Sequence, residues 1–280
     1  PAPRGRAWQR RTAPLVLNIR QNAIVDLARR EGRVLVEDLA RRFDVTLQTI
    51  RRDLGELSEA GLLDRVHGGA VPRNGVVNLG YEARRRLNAR QKAAIGRCCA
   101  AAIPDNSSLI LNLGTTTEAV AQALLHHRNL TVVTNNMNVA NILLANPECE
   151  IMVAGGAVRR ADNGLVGELT TQFFEQFKVD YAVIGASAMD DDGDLLDFDL
   201  AEVRVSRSIL RQARTAFLVC DRSKIGRPAP ARIASLAEID RLFTDQPLPP
   251  ALAARCADWA TEVTVCAGGP DDDPPEAEAD

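Results

Sequence analysis

The stretch Leu39-Ala40-Arg41-Arg42-Phe43-Asp44-Val45-Thr46-Leu47-Gln48-Thr49-Ile50-Arg51-Arg52-Asp53-Leu54 joins two helical patterns through a turn of three residues. Leu39, Ala40 and Phe43 fall on one face of the first pattern, Ile50 and Leu54 on one face of the second, and Val45 lies between them. Thr46 is a good N-cap for the second helix, because its side-chain oxygen accepts a backbone N–H from the first turn. A turn this short makes the second helix cross the first and leaves its far side exposed. With Ile50 directed inward, at about 100° per residue, Gln48 and Arg52 point outward, flanked by Thr49 and Arg51. Gly55 continues that outer face. In the major groove arginine pairs bidentately with guanine, and glutamine with adenine. The pattern therefore predicts Gln48 and Arg52 against base edges and Thr46, Thr49 and Arg51 against phosphates, with double-stranded DNA as the partner.

Upstream, Ile24, Leu27 and Ala28 keep helical spacing and place a helix over Ile19–Arg30, stopped at Gly32. The second helix runs from Val36 to Phe43. The third runs from Leu47 to Ala60, with Ile50, Leu54 and Leu57 on one face and Gly61 as its C-cap. Leu62–Val71, with His67-Gly68-Gly69 inside it, reads as a β-hairpin, a wing whose Arg65 and His67 touch the DNA backbone. The plainer alternative is a three-helix packing unit with a solvated arginine face. Charge tells against it: residues 1–75 carry 14 basic against 9 acidic residues, whereas the remainder carries 20 against 28. A basic segment on an acidic body suits an anionic polymer.

Beyond the hairpin the rhythm changes. Strand-like runs at Leu109–Leu113, Leu130–Thr134, Cys149–Ala154, Tyr181–Ala186, Ala216–Cys220, Arg241–Thr244 and Glu262–Cys266 are mostly separated by helical stretches. That alternation predicts an α/β domain with an open, largely parallel sheet. The expected organisation is a disordered basic arm at 1–17, a winged helix-turn-helix at 18–72, a linker at 73–90, a sensor domain at 91–268 and an acidic disordered tail at 269–280.

Ligands bind such sheets at the C-terminal ends of the strands. Gly114-Thr115-Thr116-Thr117 follows the first strand and opens a helix, so backbone N–H groups, hydroxyls and a helix N-terminus converge on one point that suits a phosphate. Thr134-Asn135-Asn136 and Gly155-Gly156 end the next two strands and are expected in the same crevice, with Arg159 a weaker candidate. Asp197, Asp199 and Glu202 are candidates to receive polyol hydroxyls; equally, Asp199 caps the following helix and Glu202 completes a capping arrangement. Lys224 follows a later strand. Lysines number three of the 34 basic residues (Lys92, Lys178 and Lys224), which adds weight to it, since lysine and arginine are not interchangeable where a compact ammonium is needed.

The six cysteines show no C-x-x-C pairing and no histidines at zinc spacing, so neither a metal nor another cofactor is expected. No apolar run approaches the roughly 20 residues of a membrane span. The segment holding Arg4, Arg6, Arg10 and Arg11 lacks the apolar stretch of a secretory signal, so the expected location is cytoplasmic.

Thr49-Ile50-Arg51-Arg52-Asp53-Leu54, then Gly61-Leu62 and His67-Gly68-Gly69-Ala70, resemble the DNA-binding signature of the DeoR family of bacterial regulators. Gly114-Thr115-Thr116, Thr134-Asn135-Asn136, Gly155-Gly156, Gly167, Asp180 and Asp221-Arg222-Ser223-Lys224 extend the resemblance over roughly residues 18–266. Val133–Asn141 and Leu195–Asp199 are similar to the branch of that family that answers to glycerol 3-phosphate. Asn112, Ala188 and Ile225 stand where the family usually has Asp, Gly and Phe. The resemblance implies a repressor, released from its operator by a phosphorylated polyol or sugar, with glycerol 3-phosphate favoured. It also implies a sensor fold similar to ribose-5-phosphate isomerases and CoA transferases. A homo-oligomer, dimer or tetramer, is expected because one small reading head binds weakly. The rival reading is an isomerase-like enzyme with a DNA-binding appendage, in which Asp197, Asp199 or Glu202 supplies the base.

Overall fold

A computed structural model describes residues 18–31, 34–60, 62–66, 68–72, 81–159 and 162–267. The expected arm, the tail, the helix stops Gly32 and Gly61, His67, and residues 73–80 of the expected linker lie outside the described residues. The chain divides into two compact units, residues 1–77 and 78–280.

In the first unit α1 (Ile19–Glu31), α2 (Val36–Phe43) and α3 (Leu47–Glu59) enclose a core of Ile24, Leu39, Ile50, Leu54, Leu57 and Leu63. Glu37 and Asp38 open α2 while Arg41 and Arg42 end it, each charge opposing the helix dipole at its own terminus. Asp44 turns the chain with φ 51°, a left-handed conformation that Asp tolerates better than most residues. The hairpin β2 (Leu63–Val66) and β3 (Gly69–Pro72) gains a third strand, β1 (Val34–Leu35), which pairs Val34 with Ala70. Two residues are too few to carry an alternation, so this strand has no signature in the sequence.

The second unit opens with α4 (Tyr81–Arg86) and α5 (Ala89–Ala101). Residues 81–90, expected within the linker, are thus structured. Their contacts are polar and specific, and a hydrophobic pattern does not reveal them. Seven parallel strands follow: β4 (Ser108–Leu111), β5 (Leu130–Thr134), β6 (Cys149–Val153), β9 (Val179–Ile184), β12 (Ala213–Val219), β14 (Arg241–Thr244) and β15 (Glu262–Val265). Their spatial order is β15-β14-β12-β9-β4-β5-β6. Alternate residues serve opposite faces. Leu109 and Leu111 pack with Ile95 and Cys99 of α5 and Val120 of α6 (Thr115–Ala123). Ile110 packs with Phe174 of α8 (Glu168–Phe174) and with Val203 and Ile209 of α9 (Leu200–Arg211). An additional antiparallel sheet of β10 (Ala188–Met189), β11 (Asp194–Asp197) and β13 (Ala231–Ser235) lies outside the sequence expectation, as does the hairpin β7 (Ala157–Arg159) and β8 (Gly164–Val166). Helices α7 (Met137–Leu143) and α10 (Pro250–Asp258) complete the unit.

Helix α6 takes its position from a close crossing. A Cβ on Gly96 of α5 would stand 2.6 Å from the backbone carbon and oxygen of Ala119. Gly96→Ala should therefore force the two helices apart and destabilise this unit by about 1–3 kcal/mol, the usual range for overpacking. Denaturant melts of the parent and the variant check this; equal midpoints would show that the crossing has slack.

Candidate functional site

The face expected to read DNA stands on α3. Thr46 caps it, accepting from the N–H of Thr49 at 3.2 Å, with the two hydroxyls 2.9 Å apart. Ile50 is buried, whereas Gln48, Arg51 and Arg52 are exposed, Thr49 is half-buried and Arg65 is exposed on β2. Arg52 reaches back to Glu56 at 3.0 Å. Asp53 has a different task. It is buried and holds Arg20 of α1 through two bonds, 2.6 Å to Nε and 3.2 Å to Nη2. Gln21 of α1 adds a bond to Glu56 at 2.6 Å. These contacts fix the exposed helix by its inner side, and the apolar pattern alone gave no sign of them.

The second site follows from strand order. The chain leaves β4 for β5 and β6 on one side and returns to β9 on the other. At such a reversal the connections diverge and open a crevice at the strand ends. Residues 112–117 after β4, 185–187 after β9 and 219–221 at the end of β12 line one pocket there, joined by Asp197, Glu202, Ser206, Lys224 and Arg84. No side chain caps the N-terminus of α6 at Gly114, so its first N–H groups, which have no intrahelical partner, face the pocket from that end. Thr117 donates within the loop, to the carbonyls of Asn112 (2.9 Å) and Gly114 (2.6 Å), and so shapes it. Asn112 donates to Ser206 at 2.8 Å while its buried Oδ1 has no partner.

Lys224 sits in a 3-10 turn, Arg222–Lys224, capped by Asp221. The buried Asp221 carboxylate accepts from the Ser223 N–H at 3.0 Å, from the Ser223 hydroxyl, and from Asn88 at 3.0 Å. Burial holds the Lys224 ammonium below the usual lysine range, with Asp221 opposing the shift. Among the described residues Lys224 makes no ion pair.

The acidic wall is already occupied on its outer side. Arg159 binds Asp162 through two bonds (2.9 and 2.6 Å), Asp199 at 2.8 Å and Glu202 at 2.8 Å. Asp199 caps α9, accepting from Ala201 at 2.8 Å, the structural role that was one of its two expected ones. Glu202 does not complete that cap, because the Asp199 N–H goes to Asp197 at 3.1 Å. Burial and the nearby charge of Asp197 push Glu202 up to about 7, against the pull of Arg159.

Of the residues expected in the crevice, Gly114, Thr115, Thr116, Thr117, Asp197, Glu202 and Lys224 line the pocket. Thr134, Asn135, Asn136, Gly155 and Gly156 do not; their polar groups hold the neighbouring strand end together. Thr134 donates to Leu111 at 2.7 Å, Asn135 donates to Leu165 at 3.1 Å, and Asn136 caps α7 and donates to Glu118 at 3.3 Å. The Gly155 carbonyl accepts from Thr170 at 2.8 Å, and a Cβ on Gly156 would lie 2.2 Å from the Thr170 hydroxyl, so Gly156 serves a close approach to α8. Arg84, Asn112, Ser206 and Asp221 are pocket residues that sequence reasoning missed. A polar residue within the apolar run Leu109–Leu113 was the available signal for Asn112, whereas no local signal distinguished Arg84 from its neighbours Arg85 and Arg86.

Residues 20–74 match a DeoR-like helix-turn-helix domain and residues 87–246 the DeoR C terminal sensor domain. The chain is 42% identical to the glycerol-3-phosphate regulon repressor of Escherichia coli (strain K12) over 247 residues, 88% of this chain and 98% of that protein. It is 40% identical to the protein of the same name from Haemophilus influenzae, over 90% of this chain and 98% of that one. It is 39% identical to the HTH-type transcriptional repressor CsqR of Escherichia coli, over 89% and 95%. Among solved structures, a D-ribose-5-phosphate isomerase in complex with phospho-erythronic acid aligns with TM-score 0.36 and 17% identity, over 48% of this chain and 52% of that one. At that score the likeness carries no argument about function.

Glu202 sets a pH test. Its carboxyl keeps its proton in the folded chain up to about 7, whereas an unfolded glutamate loses it near 4.3. Stability should thus fall as pH rises through that window, by on the order of 2–3 kcal/mol, and level off above it. Glu202→Gln should remove this slope. Denaturant melts at closely spaced pH values measure it; parallel profiles for the two proteins would contradict the shift.

Proposed function

The chain belongs to the DeoR family, and from that membership we propose that it represses genes of carbon metabolism and is released from its operator by glycerol 3-phosphate bound in its C-terminal unit. It is a DNA-binding transcriptional regulator rather than an enzyme, as its repressor relatives and helix-turn-helix domain establish. In this reading residues 18–72 read the operator and the unit beginning near residue 81 senses the effector. Gln48 and Arg52 meet base edges, while Thr46, Thr49, Arg51, Arg65 and His67 meet the DNA backbone.

The observation that carries the effector assignment is the meeting, in one pocket, of the uncapped start of α6 at Gly114–Thr117 with the Lys224 ammonium. Helix N–H groups and a half-buried lysine that makes no ion pair among the described residues suit a phosphate monoester. Asp197 and Glu202 on the opposite wall suit the hydroxyls of a short polyol. The names of the relatives support glycerol 3-phosphate in particular. A cytoplasmic location and assembly as a dimer or tetramer belong to the same proposal; two reading heads about 34 Å apart meet successive major grooves. Among the described residues no helix is long and apolar enough to cross a membrane.

Two experiments test this reading. Arg52→Ala should cost about 1–3 kcal/mol of operator affinity and relax discrimination at one base pair, whereas Arg51→Ala should weaken all sequences evenly. Gel shifts on matched and mismatched operators at fixed salt separate the two, and parent-like binding by a folded Arg52→Ala refutes the assignment. Glycerol 3-phosphate should lower the parent's operator affinity by about 5–150-fold, the usual span of allosteric coupling. Lys224→Ala should stay on its operator at effector concentrations that release the parent. A parent unmoved at saturating glycerol 3-phosphate rules that compound out as inducer.

A further inference from the structure

We propose that Arg84 is the residue through which effector occupancy reaches the chain leading to the DNA-reading unit: its guanidinium takes the effector's phosphate opposite the Gly114–Thr117 loop, and the short helix carrying it becomes part of the ligand site. This rests on the assignment of a phosphorylated effector to that pocket.

Arg84 lines the pocket, yet its hydrogen bonds are incomplete. Its buried Nε has no partner, and its Nη2 lies 3.4 Å from Asp162, a carboxylate that already binds Arg159 at 2.6 and 2.9 Å. Arg159, the other guanidinium near the acidic wall, has its donors engaged by Asp162, Asp199 and Glu202. Arg84 therefore offers the unmet donor. A planar fork with one arm unpartnered suits a phosphate oxygen, which accepts several charge-assisted bonds at once. A second pocket-lining atom is also unmet, the Oδ1 of Asn112, itself 2% exposed; as an acceptor it suits a ligand hydroxyl, not the phosphate.

The surrounding charges agree. Burial holds Lys224 and Arg227 below their ordinary ranges, and the nearby charge of Arg84 adds to both shifts. Asp221, the carboxylate facing them, is held by Ser223 and Asn88. Asp197 accepts from the N–H groups of Phe198 and Asp199 at 2.6 and 3.1 Å, and Glu202 faces Arg159. A dianion arriving between Arg84 and Lys224 offsets the positive charge that these two side chains bring to the pocket.

The helix is also tied to the rest of its unit. Buried Lys92 donates to the carbonyls of Arg84 and, at 2.7 Å, Leu87. The Tyr81 hydroxyl donates to Glu118 on α6 at 2.8 Å and accepts from Asn138 at 2.9 Å. Asn88 donates to Asp221 at 3.0 Å, beside Lys224. Residues 81–92 are therefore linked to both sides of the phosphate position, and in sequence they follow directly on the segment from the DNA-reading unit.

The test uses the full chain, with glycerol 3-phosphate and inorganic phosphate as separate probes. In the parent, glycerol 3-phosphate should slow amide hydrogen exchange across residues 81–92. Arg84→Gln should bind both probes at least tenfold more weakly, and at saturation it should lack the added protection and remain on its operator. Arg85→Gln, which removes the exposed neighbouring guanidinium, should bind like the parent. If Arg84→Gln fails to fold, Arg84→Lys, which keeps the charge but not the fork, must still lose the protection. Binding of both probes within twofold of the parent, or operator release at the parent's occupancy, overturns the role of Arg84. A parent that binds inorganic phosphate but not glycerol 3-phosphate overturns that compound as effector and leaves Arg84 to be decided by the phosphate titration. A parent that binds neither overturns both.

Discussion

The pairing of β4 with β9 is the contact on which the sensor unit depends. Asp180, at the start of β9, accepts from the backbone N–H of Ser108 at 3.0 Å and from its hydroxyl at 2.6 Å, across 72 residues of chain. The register that follows pairs Leu109 with Tyr181, Ile110 with Ala182 and Leu111 with Val183. A slip by one residue would turn each of these side chains to the other face of the sheet. It would also displace Asn112 and the Gly114–Thr117 loop against residues 185–187, the two lips of the pocket. Because the intervening chain goes out to β6 before returning, these lips are not joined by a direct connection, and space remains between them.

That space is charged on both sides, and the balance is uneven. Arg159 gathers Asp162, Asp199 and Glu202, so on the acidic side charge is met locally. Burial additionally pushes the Glu202 carboxyl up to about 7. On the other side Lys224 and Arg84 meet carboxylates that already have closer partners. Buried charges without full partners are costly. Such an arrangement suits an anion, the ligand class proposed for this pocket, and binding of that kind couples ligand to fold.

The reading unit solves a different problem, the presentation of a polar helix face on a small body. Its apolar core is complete on the inner side of α3, through Ile50, Leu54 and Leu57. The ion pair of Asp53 with Arg20 holds the same helix from the flank. Rigidity on the inside lets Gln48, Arg51 and Arg52 stand exposed without loss of position, which suits the DNA contacts proposed for them.

Most of the architecture was legible in the amino-acid order. The helix Val36–Phe43 and the strands Leu130–Thr134 and Arg241–Thr244 fall where periodicity put them, because a buried face imposes its own repeat on the chain. The glycine–threonine loop and Lys224 were legible for a related reason: each follows directly on a strand, and strand ends form the sites of open α/β sheets. The tertiary structure decided the remainder. Thr134, Asn135, Asn136, Gly155 and Gly156 also follow strands, yet β5 and β6 lie beyond the point of reversal, so their polar groups close the strand end instead of facing the pocket. Arg84 comes from a helix that no periodicity marked, and Asp197 comes from a short strand of the additional sheet. Sequence determines which residues belong to an element, since that depends on neighbours three or four positions away. Which elements converge depends on pairings between residues far apart in the chain, such as Ser108 with Asp180, and no local pattern contains them.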